Sequence, residues 1–143
     1  MKKNYFFTLA VLPILFVVTL LSSCSKDDGE ESMIDKTLLC GTWRITSLDR
    51  GNGTYIDVTT YPGTLLMNPT YATFNTDGTY SGRGYFGTGS GTYKVKGNTI
   101  YTYVDGEEYM KYNVLNITGT SCTLQIAKTG SEKTLKVICT KVE

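Results

Sequence analysis

Two patterns of apolar and polar positions divide this chain. Residues 5–21 are apolar almost without a break, interrupted only by Thr8, Pro13 and Thr19. From Thr42 onward the apolar runs are short, alternate with polar residues and end at Gly, Asn or Asp. Period-two runs between turn residues predict β-strands. Nine are expected, at 42–49, 54–60, 71–75, 79–86, 92–96, 99–104, 109–117, 121–127 and 133–142. Asp77-Gly78 has the composition of a type I′ hairpin turn, and residues 87–91 form a Gly-rich loop. Helical spacing is confined to a turn or two within residues 33–40. Short strands separated by turns every 8–12 residues predict an all-β fold: an antiparallel meander closed into a barrel, or a sandwich.

The last hairpin carries enough pattern to set its register. Placing Leu124 opposite Val137 and Ile126 opposite Leu135 also places Cys122 opposite Cys139, all on one face. Thr123, Gln125, Lys136 and Thr140 then share the other face, so one side is buried and one is wet. By the same alternation Tyr101 and Tyr103 lie opposite Ile100, Thr102 and Val104.

Composition narrows the chemistry. The chain has 14 Lys and Arg against 13 Asp and Glu, and no His. A balanced charge argues against a nucleic-acid partner, which demands a basic surface to neutralise phosphates. Without His there is no His-based triad, no His metal site and no imidazole general base. Outside the first 23 residues the chain holds 21 Thr, 15 Gly and 10 Tyr but only two Phe. Thr and Tyr favour strands, and much of the apolar bulk carries a phenol.

The apolar N-terminal run reads as a targeting segment. Lys2 and Lys3 precede it and Ser22-Ser23 follow, the charged, apolar and small regions of a secretory signal. The run is close to the lower limit for spanning a bilayer and Pro13 interrupts it, which disfavours a transmembrane anchor. Leu21-Ser22-Ser23-Cys24 resembles the lipobox of bacterial lipoproteins. That resemblance implies a signal peptide over 1–23, lipid attachment at Cys24 and a membrane partner through the acyl chains. Residues 24–36, with Lys26-Asp27-Asp28, read as a flexible acidic tether. They also resemble the export signal of Bacteroidetes-type surface lipoproteins, which implies an outer-membrane lipoprotein facing the cell exterior. The folded domain is expected over 37–143.

Within that domain, Leu39-Cys40-Gly41-Thr42-Trp43 opens the chain, Phe74 is followed by Asp77-Gly78-Thr79-Tyr80, then come Gly91-Thr92-Tyr93 and Thr123-Leu124. This succession resembles the lipocalin-like domain family of bacterial lipoproteins, over nearly the whole domain. The resemblance implies an eight-stranded up-and-down barrel with room inside for one small ligand. Gly41 would let Trp43 plug one end, and Tyr80 and Tyr93 fall at inward positions, so Trp43, Tyr80 and Tyr93 are the candidate ligand-binding residues. The ligand would be a small apolar or amphipathic molecule, or a glycan, held non-covalently. A barrel filled by its own side chains, acting as a structural or interaction module, is the alternative.

The remaining motifs carry little chemistry. Gly82-Arg83-Gly84-Tyr85-Phe86-Gly87 spells G-x-G-x-x-G, but a dinucleotide site needs a helix after it and strand-like sequence follows instead. No cofactor is expected. Cys40, Cys122 and Cys139 cannot all pair within one chain; Cys122 with Cys139 is the candidate disulfide, Cys40 with Cys139 the rival, and three buried thiols the third possibility. No C-x-x-C spacing supports a metal. Asp105, Glu107 and Glu108 straddle a turn and read as a solvated tip, so the chain is expected to be no enzyme.

Overall fold

The first described contacts are made by the segment entering the barrel. The computed structural model describes residues 31–142; the leader, Cys24 and the tether up to Glu30 lie outside the described residues. Ser32 bridges to Gly97, the Met33 amide donates to the Gly97 carbonyl at 2.8 Å, and Ile34 is buried. The Asp35 carboxylate then caps helix α1 (Lys36–Leu39) by accepting from the Thr37 amide. Residues 31–36 thus pack against the barrel, within the stretch whose composition reads as tether.

The strands are β1 (Gly41–Asp49), β2 (Tyr55–Asp57), β3 (Tyr71–Phe74), β4 (Thr79–Arg83), β5 (Gly89–Lys96), β6 (Thr99–Val104), β7 (Glu107–Ile117), β8 (Ser121–Lys128) and β9 (Thr134–Val142). β3 to β9 form an antiparallel meander, and pairing of β1 with both β3 and β9 closes it. The fold is therefore an eight-stranded antiparallel barrel with β2 as a ninth strand, and the sandwich alternative falls away. β2 and β3 lie in line on one edge of β1: Ser47–Asp49 pair with β2 and Gly41–Arg44 with β3. Between them the chain makes an excursion through residues 58–70 that buries Val58 and Met67.

The expected register of the last hairpin is the observed one: Cys122 faces Cys139, Leu124 faces Val137 and Ile126 faces Leu135. Several expectations differ: β2 ends at Asp57 instead of residue 60, and β7 starts at Glu107 instead of residue 109. β4 stops at Arg83 because Gly84 turns the chain at φ +117°, which leaves Phe86 in a loop. β5 starts at Gly89, inside the expected loop, because Gly89, Ser90 and Gly91 pair with Gly82, Ser81 and Tyr80. The type I′ geometry, which needs positive φ at both central residues, belongs to Asp105 (φ 52°) and Gly106 (φ 80°); at Asp77-Gly78 only Gly78 is positive.

Strand direction sorts the loops into two ends. Helix α1 and the turns at 75–78, 97–98 and 118–120 lie at one end, with Trp43 buried beneath α1. Trp43 Nε1 donates to the Leu39 carbonyl at 2.8 Å, so its one polar atom is satisfied. Lys141 Nζ lies 5.1 Å from the Trp43 ring centroid and donates to the Leu38 carbonyl at 2.8 Å. A Cβ on Gly41, at φ +129°, would come within 2.7 Å of the Lys141 stem, so glycine permits this packing. This end is closed. Loops 50–54, 84–88, 105–106 and 129–133 and the 58–70 excursion lie at the other.

Candidate functional site

Alternation along the strands points a mostly apolar set into the barrel. Ile45, Ile100, Met110, Val114, Leu124, Ile126 and Val137 are all buried. Among them stands an aromatic cluster of Phe74, Tyr80, Tyr93 and Tyr112. The Phe74 ring meets Tyr93 at 5.2 Å and Tyr112 at 6.0 Å in edge-to-face geometry, the arrangement aromatic quadrupoles favour.

Two inward positions beside the cavity carry no side chain. Gly82 on β4 and Gly89 on β5 are cross-strand partners. An added Cβ at Gly82 would lie 2.4 Å from the Tyr80 hydroxyl, whereas one at Gly89 meets only Val104 Cγ2, at 3.9 Å. The barrel wall is here a single backbone thick, and the missing side chains leave space behind it. That space is an interior cavity of about 40 Å³, bounded by Gly82, Gly89, Tyr80, Tyr112, Ile100 and Leu124. Trp43 and Leu39 approach it from the closed end, while Thr70, Phe86, Gly87 and Tyr109 rim it at the other.

The rim is tied down by hydrogen bonds. The Tyr85 amide donates to Thr70 Oγ1 at 2.9 Å, and the Tyr109 hydroxyl donates to the Phe86 carbonyl. Phe86 is partly buried against the core, so its ring covers the approach. Outside the wall, Tyr71 is stacked by Arg83, whose guanidinium carbon lies 4.3 Å from the ring centroid, with Arg44 at 5.7 Å.

Two phenols stand inside, near the Cys122 and Cys139 thiols. Tyr80 and Tyr112 are 4% and 5% exposed, and their hydroxyl oxygens lie 2.9 Å apart. Burial raises the pKa of Tyr80, and that of Tyr112 well above the ordinary tyrosine value, so both are protonated at neutral pH. Among the described residues lining the cavity there is no carboxylate, and the one charged residue is Arg83, whose guanidinium stacks on Tyr71. Among the described residues, no three His, Cys, Asp or Glu side chains cluster as metal ligands.

The sequence-predicted residues divide accordingly. Trp43 and Tyr80 reach the cavity, and Tyr93 does not. The Tyr93 hydroxyl instead donates to the Asn75 carbonyl at 2.8 Å and lies 3.8 Å from Cys40 Sγ, which locks the closed end; burial pushes it up to about 12. Cys122 and Cys139 face each other as expected but stand as free thiols, as does Cys40. Burial pushes Cys122 up to about 12 and raises Cys139 further, because an apolar site penalises the thiolate. Cys24 lies outside the described residues. Sequence reasoning missed Tyr112, although Met110, Tyr112 and Val114 alternate as inward positions do. It also missed Gly82, which read as part of a bulged strand, and Gly89, which read as a loop glycine.

A family model for a lipocalin-like domain matches residues 39–124, from the end of α1 to the middle of β8. No curated protein matches the chain. The match spans more than half the sequence and takes in β1 to β7 and the first half of β8. The chain belongs to the lipocalin-like domain family.

Proposed function

We propose that this protein is a lipid-anchored lipoprotein of the cell envelope whose barrel binds one small apolar molecule non-covalently. The observation that carries the binding role is the interior cavity, apolar-walled and rimmed by a covering aromatic ring at the open end. At about 40 Å³ it is far below the roughly 300–1,000 Å³ of a drug-sized site. The ligand is therefore compact, and Phe86 moves outward to admit it. A glycan suits the cavity poorly, since the inner wall offers few polar groups. The outer aromatic face of Tyr71 is already covered by Arg83. Buried phenols and thiols with raised pKa values, and no carboxylate beside them, support binding without catalysis. Incubating the protein with a lipid extract of its cells and weighing the complex under native conditions tests this. Retained mass of a small molecule is expected; a bare protein mass, for the wild type and for Phe86→Ala alike, would overturn it.

The anchor rests on Leu21-Ser22-Ser23-Cys24 and the acidic residues that follow. Two or more acyl chains at Cys24 give the stable attachment that one chain does not. The envelope location, in the outer membrane and facing outward, rests on the same residues. Glu31 enters the barrel at the closed end, beside Gly97. From Cys24 to Glu31 the backbone reaches at most about 25 Å. The closed end therefore sits near the bilayer and the cavity rim opens away from it. Palmitate labelling should vanish in Cys24→Ala; labelling that persists would refute the assignment.

A second reading has its own observation. Tyr61, Leu65, Leu66 and Tyr85 are 79%, 74%, 52% and 55% exposed, all in the 58–70 excursion or the 84–88 loop. Exposed apolar clusters mark contact surfaces. On this reading the barrel is a filled scaffold presenting that surface to another envelope protein. Cross-linking in intact cells that recovers only the monomer would count against it.

A further inference from the structure

The interior cavity holds a hydrogen-bond donor with nothing to donate to. Tyr80 and Tyr112 each carry one phenolic proton. Their single mutual hydrogen bond uses one of the two, whichever phenol donates. Among the described residues neither hydroxyl has another partner. The other proton faces walls of Phe74, Ile100, Leu124, Ile126 and the backbone of Gly82. An unspent donor in an apolar site is costly, and natural cores rarely keep one.

An apolar molecule with one acceptor oxygen matches the site. A carboxylate does not match it: an unpaired anion is far too costly to bury. Of the nearby cations, Arg83 is among the lining residues but lays its guanidinium on Tyr71 outside the wall, and Lys141 lies over Trp43 at the closed end. We infer that the barrel takes a compact, neutral carbonyl compound, its oxygen accepting the spare proton of the Tyr80–Tyr112 pair and its apolar body lying along Gly82 and Gly89. This rests on the binding role proposed above and specifies its ligand class. It assigns Tyr112, which no motif marks, as a ligand-binding residue, and makes Gly82 and Gly89 the positions that provide room for the body.

Two fluorinated probes of nearly equal shape separate the inference from the reading beneath it. 4-Fluoroacetophenone has the carbonyl; 1-ethyl-4-fluorobenzene replaces it with a methylene. Binding of each to the full-length chain is followed by fluorine NMR. The ketone is expected to bind about fivefold tighter, the difference one hydrogen bond makes. The Tyr80→Phe/Tyr112→Phe double variant should lose that preference while still binding the hydrocarbon. Tyr112→Phe alone, which leaves the Tyr80 proton free, should keep it. Equal binding of both probes by the wild type would overturn the carbonyl inference and leave the binding barrel standing. Both probes are larger than the closed cavity, so Phe86→Ala, which removes the covering ring, tests entry, and failure of both probes to bind that variant would overturn the binding role and the inference together. A ketone preference that survives in the double variant would overturn the assignment of the phenols.

Discussion

Gly89→Ala should make the protein more stable and its cavity less useful. Gly89 is inward-facing on β5, has a φ outside the left-handed region, and lines the cavity. An added methyl would find only Val104 Cγ2 nearby, at 3.9 Å, an ordinary contact distance. Removing glycine's freedom from the unfolded chain contributes about 0.4–1 kcal/mol. Burying the methyl contributes about 0.8 kcal/mol more. The sum, about 1.2–1.8 kcal/mol, corresponds to a rise in Tm of roughly 5–8 °C for a domain of this size. The same methyl occupies part of a cavity of only about 40 Å³, so binding of 4-fluoroacetophenone should weaken. Gly91→Ala, two residues along the same face, is the contrast. Its Cβ would fall 1.8 Å from the Tyr103 carbonyl oxygen, and a backbone must move to admit it. Overpacking of that kind costs about 2–3 kcal/mol. Urea titrations of both variants and fluorine NMR of Gly89→Ala read the result. A Gly89→Ala protein that is less stable than wild type, or equally stable with unchanged binding, would refute the claim that Gly89 borders empty interior space.

The other expectations concern the walls. Thr102 is fully buried in the β6–β7 bulge, where its hydroxyl donates to the Met110 carbonyl and accepts from the Met110 amide at 3.2 and 3.1 Å. Thr102→Val keeps the shape but leaves both backbone groups unpaired, and should cost about 2–3 kcal/mol in a denaturant titration; a loss under about 0.5 kcal/mol would show that the bulge does not depend on the hydroxyl. Cys122 has its thiol pushed from 9.0 to about 12 by burial. The folded state therefore keeps a proton that the unfolded chain releases, and stability falls as pH rises from about 9 towards 12, by about 1.4 kcal/mol per unit. Cys122→Ala should flatten that alkaline limb, and an unchanged slope would refute a buried protonated thiol. If Cys24 is the anchor, an epitope inserted at Gly130, at the open end, should be more accessible to antibody on vesicle-bound protein than one at Gly119, at the closed end; equal access would refute the orientation.

How much of this was legible depends on what each residue needed from its neighbours. The strand positions followed from alternation, because a half-buried antiparallel strand must place its apolar residues on one face. Cys122, Leu124 and Ile126 against Leu135, Val137 and Cys139 left one register that buries all six, and the structure adopts it. Trp43 was legible as a plug because Gly41 stands two residues before it. What the alternation did not reveal was closure. Pairing of β1 with β9 joins residues about a hundred positions apart, and only the family resemblance selected a barrel over a sandwich.

The site was hidden for a different reason. Its walls are defined by what is missing, and an absent side chain reads in sequence as a turn. Gly82 and Gly89 sit in a stretch with Gly84, Gly87 and Gly91, and the local pattern predicts a strand to residue 86 and a loop over 87–91, with no sign of an interior gap. The structure divides these glycines by role. Gly84 and Gly87 turn the chain at positive φ, Gly91 admits the backbone of β6, and Gly82 and Gly89 leave space inside. Tyr112 was obscured in the opposite way, as one tyrosine among ten in the domain. Its partner Tyr80 fell on an inward position, yet a phenol pair becomes a donor only when two strands 32 residues apart bring the hydroxyls within 2.9 Å. Interior tyrosine suits a solid barrel and a binding one equally well in sequence. On the proposed binding role the unspent proton distinguishes the two, since phenylalanine in place of either tyrosine would fill the same volume without an unpaired donor.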